Sequence, residues 1–353
     1  MDQEINEIDR DQWLHDVFPE WGTWLNEEIE QEEVSDGKFA MWWLGCTGVW
    51  VKTPGNANLA FDFWAGRGRS TKEQPPFEGR EDFQISRMSG GRDLPPNLRA
   101  IPMVIDPFAI QEIDAIVSTH IHDDHIDPYV ASAVCENTDA PFIGPELCVE
   151  KWHDWGVPEE RTKIVAPGDT FSVKDVEVTA LKSFDRTALI TKPPAGNLRG
   201  ETPPDMDERA VNYLIDTPGG SIYHSGDSHF SNHYFKHGKD YDIDVAFTSY
   251  GKNPPGSTDK MTACDCLRAA QNLDTEVLIP YHYDLWSNQV VDPREIEMLH
   301  DFNSHRLDFS LFVWRVGGKF IYPDHKDLGR YEYPQGGEDS FTDKPNIPYP
   351  SFL

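Results

Sequence analysis

Cysteine is scarce in this 353-residue sequence, and its positions do not suggest a covalent framework. The five cysteines are an odd number, and none forms a Cys-x-x-Cys pair. This pattern argues against a zinc finger and against a disulfide-stapled secreted domain. Cys264 and Cys266 are one residue apart, but they lie in an apolar-periodic stretch, so we expect both to be buried free thiols. The cysteines are therefore not predicted to carry chemistry.

Long apolar segments are also missing. No stretch approaches the ~20 consecutive apolar residues that a membrane-spanning helix needs. The first four residues, MDQE, are acidic, whereas a secretory signal begins with basic residues and continues with apolar ones. We therefore expect a cytoplasmic protein with no membrane partner.

Basic residues are outnumbered by acidic ones, 31 to 61, which gives a formal charge of −30. An anionic surface repels phosphodiester backbones, because nucleic-acid binders present basic faces. We therefore expect no nucleic-acid partner. The segment from Arg67 to Arg99 is an exception, since it holds seven basic residues against five acidic ones.

Strand-like and helix-like segments alternate along the chain, which predicts mixed β-sheets covered by helices. Strands are predicted at 38–52, 59–64, 115–119, 141–144, 170–182, 211–217, 221–225, 244–250, 276–282 and 308–323, and helices at 128–137, 146–155, 262–273 and 293–305. The simplest organisation is a single domain over 1–353. It would carry an N-terminal extension (about 1–37), an insertion (about 65–102) and a C-terminal tail (about 324–353).

Three histidines and two aspartates lie within the six residues from His120 to His125, directly after a predicted strand. Residues two apart in an extended loop point to the same side, so His120 and His122 can bind one ion. Asp124 and His125 follow and can face a second ion, with donors that Zn²⁺, Mn²⁺ or Fe²⁺ accept. The alternative is a solvated polar loop, but the order H-x-H-x-D-H at a strand's carboxyl end favours a metal site.

This order resembles the first metal motif of the metallo-β-lactamase superfamily. The resemblance implies an α+β fold, the αββα sandwich of two mixed β-sheets flanked by helices. It also implies an aspartate after one later strand, which bridges two metals, and a histidine after another. Asp227 in YHSGD and His282 in VLIPYH match these two positions.

One element departs from the superfamily pattern. The strand that commonly supplies a third histidine for the first metal corresponds here to TALKSFD at 179–185, which contains no histidine. Either Asp185 substitutes for it, or that position is weak or empty, so the chain would hold one or two ions. The second position, from Asp124, His125, Asp227 and His282, is complete. A carboxylate-rich set favours Mn²⁺ over Zn²⁺ or Fe²⁺.

Longer phrases resemble the family of bacterial L-ascorbate-6-phosphate lactonases over essentially the full chain. They are FPEWGTWLNEE at 18–28, WWLGCTG at 42–48, FDRTALIT at 184–191, HSGDSH at 224–229, DKMT at 259–262, WSN at 286–288 and the terminal SFL. The resemblance implies a cytoplasmic homo-oligomer, with a hexamer as one candidate size. The implied reaction opens the lactone ring of L-ascorbate 6-phosphate to give 3-keto-L-gulonate 6-phosphate in ascorbate catabolism.

The chemistry of a lactone agrees with such a site. A lactone is an internal ester, so its hydrolysis needs an activated water and a polarised carbonyl, and a divalent ion supplies both. Asp227, or Asp124 if it is not committed to the metal, is the candidate catalytic carboxylate that orients the water and accepts its proton. No Gly-x-Ser-x-Gly elbow suggests a serine nucleophile instead.

A phosphorylated substrate also requires nearby cations or hydrogen-bond donors. The candidate substrate-binding residues are Arg186, Arg209, Lys260 and His229. Arg186 is the first choice because it adjoins the expected rim of the metal site. For each basic residue the alternative is a solvated surface charge, and for His229 it is a surface position.

Two other functions share parts of this pattern. A phosphodiesterase or RNase of the same fold would use the same H-x-H-x-D-H motif, although the charge of −30 counts against it. A non-catalytic metal-binding relative is the other alternative, which the absent third histidine supports.

Overall fold

Two seven-stranded sheets form the centre of the molecule. The structure, a computed structural model, describes residues 4–17, 25–69, 97–188, 206–253, 260–287 and 290–333. The strands are β1 Phe39–Gly45, β2 Gly48–Lys52, β3 Asn58–Phe61, β4 Gly68–Arg69, β5 Asn97–Leu98, β6 Ala115–Val117, β7 Phe142–Gly144, β8 Thr162–Ile164, β9 Thr170–Val173, β10 Val176–Lys182, β11 Val211–Thr217, β12 Gly220–His224, β13 Val245–Ser249, β14 Val277–Tyr281, β15 Ser310–Leu311 and β16 Lys319–Tyr322. The helices are α1 Arg10–Val17, α2 Leu25–Gln31, α3 Pro128–Asn137, α4 Glu146–Asp154, α5 Tyr234–Asp240, α6 Ala263–Leu273 and α7 Arg294–Asn303.

Each large sheet has one antiparallel and one parallel half. The first has the order β16-β1-β2-β3-β6-β7-β8, antiparallel from β16 to β3 and parallel from β3 to β8. The second has the order β15-β14-β13-β12-β11-β10-β9, parallel from β15 to β12 and antiparallel from β12 to β9. The predicted α+β class, with two mixed sheets flanked by helices, is confirmed.

The two sheets pack face to face through aromatic side chains. Phe61 of β3 contacts Tyr213 of β11 and His224 of β12, with ring centroids 5.9 and 5.8 Å apart. All seven residues of β1 are buried, because both faces of this strand are covered. That explains why its sequence is an uninterrupted apolar run and not an alternation of apolar and polar residues.

Most predicted elements are present with shifted ends, and the differences have local causes. The segment 38–52 is two strands, because the chain reverses at Gly45, where φ is +102°. The segment 170–182 is likewise two strands, joined by a turn at Lys174, where φ is +52°. Helices α1, α2 and α5 and strand β8 were not predicted, because each is short and has little apolar periodicity.

The three segments outside the predicted central region are described in part. The N-terminal segment packs onto the core through Trp13, Leu25 and Ile29, which are all buried. Most of the predicted insertion at 65–102, with its basic residues from 72 to 92, lies outside the described residues. The same holds for the predicted tail beyond residue 333. Within the described ranges, no helix is long and apolar enough to cross a bilayer.

The carboxyl ends of several strands meet at one edge of the sandwich. Strands β1, β3 and β6 run in the same direction in the first sheet, and β10, β12, β13 and β14 do so in the second. The residues that follow these strands therefore lie close together, which is where open α/β sheets build their sites.

Tyr213 links the second sheet to the start of this edge, since its hydroxyl donates to the Ser118 carbonyl at 2.9 Å. We expect Tyr213→Phe to lower the free energy of unfolding by about 1–3 kcal/mol, because a buried carbonyl loses its partner. Urea unfolding of the variant measures this loss. Tyr241→Phe, at a half-buried position, is the control and should change stability by less than about 0.5 kcal/mol. Equal losses in the two variants would contradict the proposed link.

Candidate metal centre

Ionisable side chains follow six of the strands that end at this edge. Cys46 follows β1, Asp62 follows β3, the run from His120 to His125 follows β6, Asp185 follows β10, Asp227 follows β12, and His282 follows β14. After the run, Asp127 accepts a hydrogen bond from the Val130 N–H and begins helix α3, with Pro128 at its first turn. Because the chain turns where α3 begins, the residues from His120 to His125 remain close together.

The first cluster contains His120, His122 and Asp185, whose candidate ligand atoms all lie within 4.8 Å of one another. His120 Nε2 is 2.8 Å from His122 Nδ1 and 3.6 Å from Asp185 Oδ2. Asp185 Oδ1 accepts hydrogen bonds from the Thr187 and Ala188 N–H groups, so the carboxylate is fixed. Its Oδ2 is buried and has no hydrogen-bond partner among the described residues. A buried oxygen in that state fits a cation.

The second cluster contains Asp124, His125 and His282, with Asp227 beside it. His282 Nε2 lies 3.4 Å from Asp124 Oδ2 and 3.5 Å from Asp227 Oδ1. His125 Nε2 lies 3.6 Å from Asp124 Oδ1 and 3.5 Å from Asp227 Oδ2. Asp227 also groups with His120 and His125, so its carboxylate lies between the two clusters.

The electrostatics of the second cluster favour ion pairs. Burial alone would lower the pKa of His282, but its electrostatic interactions with Cys46 and Asp227 raise it well above its usual value. Burial would likewise raise the pKa of Asp227, but the charges of Lys260 and His282 hold it well below the usual range. Protonated histidines thus balance the carboxylates here. A divalent cation can replace those protons, since metal ligands must be deprotonated.

The first cluster is electrostatically different. Burial, together with the charges of His125 and His122, lowers the pKa of His120 to about 3. His120 is therefore neutral at physiological pH and presents a lone pair. Burial opposes ionisation of Asp185, but the nearby histidines lower its pKa below the usual value. Neutral imidazole and ionised carboxylate are the forms that bind divalent metals.

Lys260, predicted to bind substrate, contacts Asp227. Its ammonium lies 2.6 Å from Asp227 Oδ2, and both side chains are buried. Ser249 donates to the other Asp227 oxygen at 3.2 Å. The solvated alternative for Lys260 is therefore wrong, and the lysine holds the carboxylate at the centre of the site.

The other three predicted substrate-binding residues lie around the loop that carries Asp185. His229 is buried, so its alternative surface position is wrong, and its Nδ1 accepts the Arg186 N–H at 3.3 Å. The Arg186 side chain is exposed. Arg209 is buried, and its guanidinium donates to the Ala188 carbonyl at 3.4 Å, so the solvated alternative is wrong there too.

Asp62 was not predicted to belong to the site. One of its oxygens accepts the Thr119 N–H at 2.7 Å, and the other lies 2.9 Å from His125 Nδ1. This contact leaves His125 Nε2 to face Asp124 and Asp227. Asp62 was missed because the strand was predicted to extend over 59–64. In the structure this strand ends at Phe61, and Asp62 is the first residue of the following loop.

The cysteines require two corrections. Cys264 is exposed and not buried, because it lies on the outer face of α6, whereas Cys266 is buried as expected. Cys46 belongs to the site, since its Sγ lies 3.3 Å from His282 Nε2 and 3.5 Å from Asp124 Oδ2. Trp286 Nε1 donates to the same Asp124 oxygen at 3.0 Å. Both Cys46 and Trp286 occur in the sequence phrases that resemble the family. That occurrence was the sequence signal from which the two residues could have been assigned to the site.

Comparisons with known proteins agree with this architecture. A family model of the β-lactamase superfamily domain matches residues 93–283. A protein from Escherichia fergusonii, named as a probable L-ascorbate-6-phosphate lactonase, UlaG, is 54% identical over 99% of each chain. The solved structure of Igni18, a metallo hydrolase from Ignicoccus hospitalis, covers 81% of this chain and 98% of its own with TM-score 0.54 and 17% identity. That of an isothiocyanate hydrolase from Delia radicum gut bacteria covers 80% and 98% with TM-score 0.57 and 15% identity, so these two share the fold.

Asp62 orients His125, and its loss should weaken metal binding without unfolding the protein. We expect Asp62→Asn to reduce metal affinity on the order of 10- to 100-fold, because such outer hydrogen bonds fix the tautomer and the angle of the imidazole. Competition with a chelating dye measures the affinity. Asp114→Asn is the matched control, since Asp114 accepts the Asn58 N–H at the opposite end of the same strand. An unchanged affinity in Asp62→Asn would show that His125 needs no such support.

Proposed function

The chain belongs to the β-lactamase superfamily and, within it, to the family of the L-ascorbate-6-phosphate lactonases, and from that premise we propose that it hydrolyses the lactone ring of L-ascorbate 6-phosphate to 3-keto-L-gulonate 6-phosphate in ascorbate catabolism. The observation that carries the proposal is the convergence of imidazoles and carboxylates from separate strand ends in one buried cluster. A divalent metal fits this donor set.

Two ion positions are proposed from the two clusters. His120, His122 and Asp185 would hold the first ion, and Asp124, His125 and His282 the second, with Asp227 shared between them. Asp185 Oδ2 is buried and accepts no hydrogen bond from the described residues, which supports this residue as the substitute for the missing histidine. Two carboxylates at the first position support Mn²⁺ there, because hard ions prefer oxygen donors.

The residues around the ions have different proposed roles in ester hydrolysis. When bound, a divalent ion polarises the lactone carbonyl and lowers the pKa of water. Asp227, held ionised by Lys260, is the proposed base that orients the water and accepts its proton. Asp124, the second candidate, is held by Trp286 and His282. The water oxygen bonds to the carbonyl carbon, the ring C–O bond breaks, and the proton is passed to the ring oxygen.

Arg186 is proposed to bind the phosphate. It adjoins Asp185 in sequence, its side chain is exposed, and its backbone is fixed by His229. An arginine fork matches the oxygens of a phosphate group. His229, Arg209 and Lys260 would act less directly, by positioning the Asp185 loop or Asp227.

We also propose that the chain is one domain and that it works as a cytoplasmic homo-oligomer, with a hexamer as one candidate size. Support for one domain comes from the main hydrophobic core, which includes residues from Ile5 to Tyr322, beside one small satellite cluster among the described residues. The assembly and the location rest on the family.

Purified protein should open L-ascorbate 6-phosphate, lose activity after chelator treatment, and regain it on addition of Mn²⁺. Ring opening is measured by the loss of substrate ultraviolet absorbance. RNA and cyclic phosphodiesters are assayed in parallel and should not be cleaved, because the chain is strongly acidic. Cleavage of these substrates without lactone opening would favour the phosphodiesterase or RNase. Metal binding without any turnover would favour a non-catalytic relative.

Arg186→Ala should weaken the use of the phosphorylated lactone by roughly tenfold or more, because a charge-assisted contact is lost. Turnover of unphosphorylated L-ascorbate lactone analogues should change far less. The measurement is kcat/KM on both substrates. Lys182→Ala is the control, since Lys182 is an exposed cation four residues earlier in the chain. An equal loss on both substrates would assign Arg186 to structure.

Asp185→Ala should remove one metal position. Metal titrated into stripped wild-type protein should fill two positions, and the variant should keep only the one formed by Asp124, His125, His282 and Asp227. Metal analysis after dialysis gives the count. Asp207→Ala, a half-buried carboxylate outside the cluster, is the control and should bind as the wild type does. A wild type with one tight and one weak position, unchanged in the variant, would show that nothing replaces the missing histidine.

A further inference from the structure

The Cys46 thiol is part of the second cluster, although neither the motif nor the proposed ligand set includes it. Its Sγ lies 3.3 Å from His282 Nε2, 3.5 Å from Asp124 Oδ2 and 3.8 Å from His125 Nε2. The side chain is completely buried. These four residues form one group whose candidate ligand atoms all lie within 4.8 Å of one another.

The separations within this group agree with four ligands around one ion. Zinc binds sulfur at about 2.3 Å and nitrogen or oxygen at about 2.0–2.1 Å, so a tetrahedral site has edges of roughly 3.4 Å for nitrogen–oxygen pairs and 3.6 Å for sulfur pairs. The observed distances from Cys46 Sγ are 3.3–3.8 Å. Asp124 Oδ2 lies 3.4 Å from His282 Nε2, and the other Asp124 oxygen, Oδ1, lies 3.6 Å from His125 Nε2.

The backbone conformation of Cys46 and His282 is a second observation that places the thiol beside the second cluster. Cys46 and His282 both have positive φ, +55° and +68°, a conformation that side-chain-bearing residues rarely adopt. The His282 N–H donates to the Cys46 carbonyl at 3.1 Å, so the two loops are joined beside the cluster. The β1–β2 turn and the loop after β14 therefore hold the sulfur and the imidazole in fixed relation.

We propose that Cys46, as a thiolate, is a side-chain ligand of the ion at the second position. Binding breaks the S–H bond, forms a metal–sulfur bond and releases the proton to solvent, with no change of oxidation state. Cys46, Asp124, His125 and His282 would then hold this ion together with the shared Asp227 carboxylate, so open coordination sites for water or substrate would belong mainly to the first position. The inference rests on the proposed metal site but not on the proposed substrate.

Sulfur also changes which ion is preferred. Thiolate is a soft ligand that selects zinc or iron over manganese. The two positions then differ in kind, because His120, His122 and Asp185 offer no sulfur. We expect the second position to retain zinc or iron when a manganese-type ion at the first position exchanges.

Cobalt titration of metal-free, full-length protein without substrate tests the proposal, because Co²⁺ bound to thiolate has a sulfur-to-metal charge-transfer band in the near ultraviolet. The first equivalent of Co²⁺ should produce this band in the wild type. Cys46→Ser should bind Co²⁺ without the band. Cys266→Ser is the matched control, since Cys266 is an equally buried thiol on α6, and it should keep the band.

Cobalt binding to the wild type without the band, or a band that persists in Cys46→Ser, would overturn the proposal. No cobalt binding at all would defeat the metal site itself, and with it the proposed function. X-ray absorption of wild-type protein loaded with one equivalent of zinc does not depend on whether a variant folds. It should show one sulfur per zinc at about 2.3 Å. A shell of only nitrogen and oxygen would mean that the thiol merely donates to Asp124.

Discussion

The site depends on one completely buried carboxylate, that of Asp62. Its oxygens accept the Thr119 N–H and the Thr47 and Thr119 hydroxyls, and one of them lies 2.9 Å from His125 Nδ1. Burial would raise its pKa, but the charge of His125 lowers it to about 2. The carboxylate is therefore ionised at neutral pH. It ties the β1–β2 turn, the end of β6 and the histidine run together, so an error in any one of these elements displaces the others.

The second constraint is the balance of buried charge. Asp124, Asp185 and Asp227 would repel one another in a volume from which water is excluded, and an unpaired buried charge is strongly destabilising. The structure balances them with Lys260 and with protonated His125 and His282. The protons of His125 and His282 would give way to an ion when it binds, whereas Lys260 would keep its contact with Asp227. Folding and metal binding use one set of contacts, which explains why a fixed lysine occupies the centre of a metal site.

The sequence could locate the candidate metal ligands that belong to a recognisable motif or follow a predicted strand. It could not locate residues whose positions depend on contacts between distant segments of the chain. The run at 120–125 was predictable from its donor types and its place after a strand, whereas Asp227 and His282 were predictable as the residues that match two later positions of the superfamily. Asp185 was predictable as an option, because it follows the strand that commonly supplies a histidine in the superfamily. Cys46 is 236 residues away from His282, and only the packing of the two sheets brings them together. Lys260 was found as a basic residue, but its contact with Asp227 depends on a loop that the pattern does not describe.

The loop after β10 carries the two groups that the proposed substrate requires, a donor for the metal ion and a cation for the phosphate. Asp185 lies in the cluster, where its carboxylate also accepts the N–H groups of the following turn, and Arg186 in that turn has an exposed side chain. His229 fixes this arrangement through the Arg186 N–H, and Arg209 supports the loop through Ala188. In a chain of charge −30, an anionic lactone needs local positive charge to approach, and Arg186 of this loop is the cation that we propose to provide it beside an ion position. A displacement of the whole loop would therefore be expected to loosen the ion and to misplace the proposed phosphate contact together, whereas the loss of either side chain alone would affect mainly one of the two.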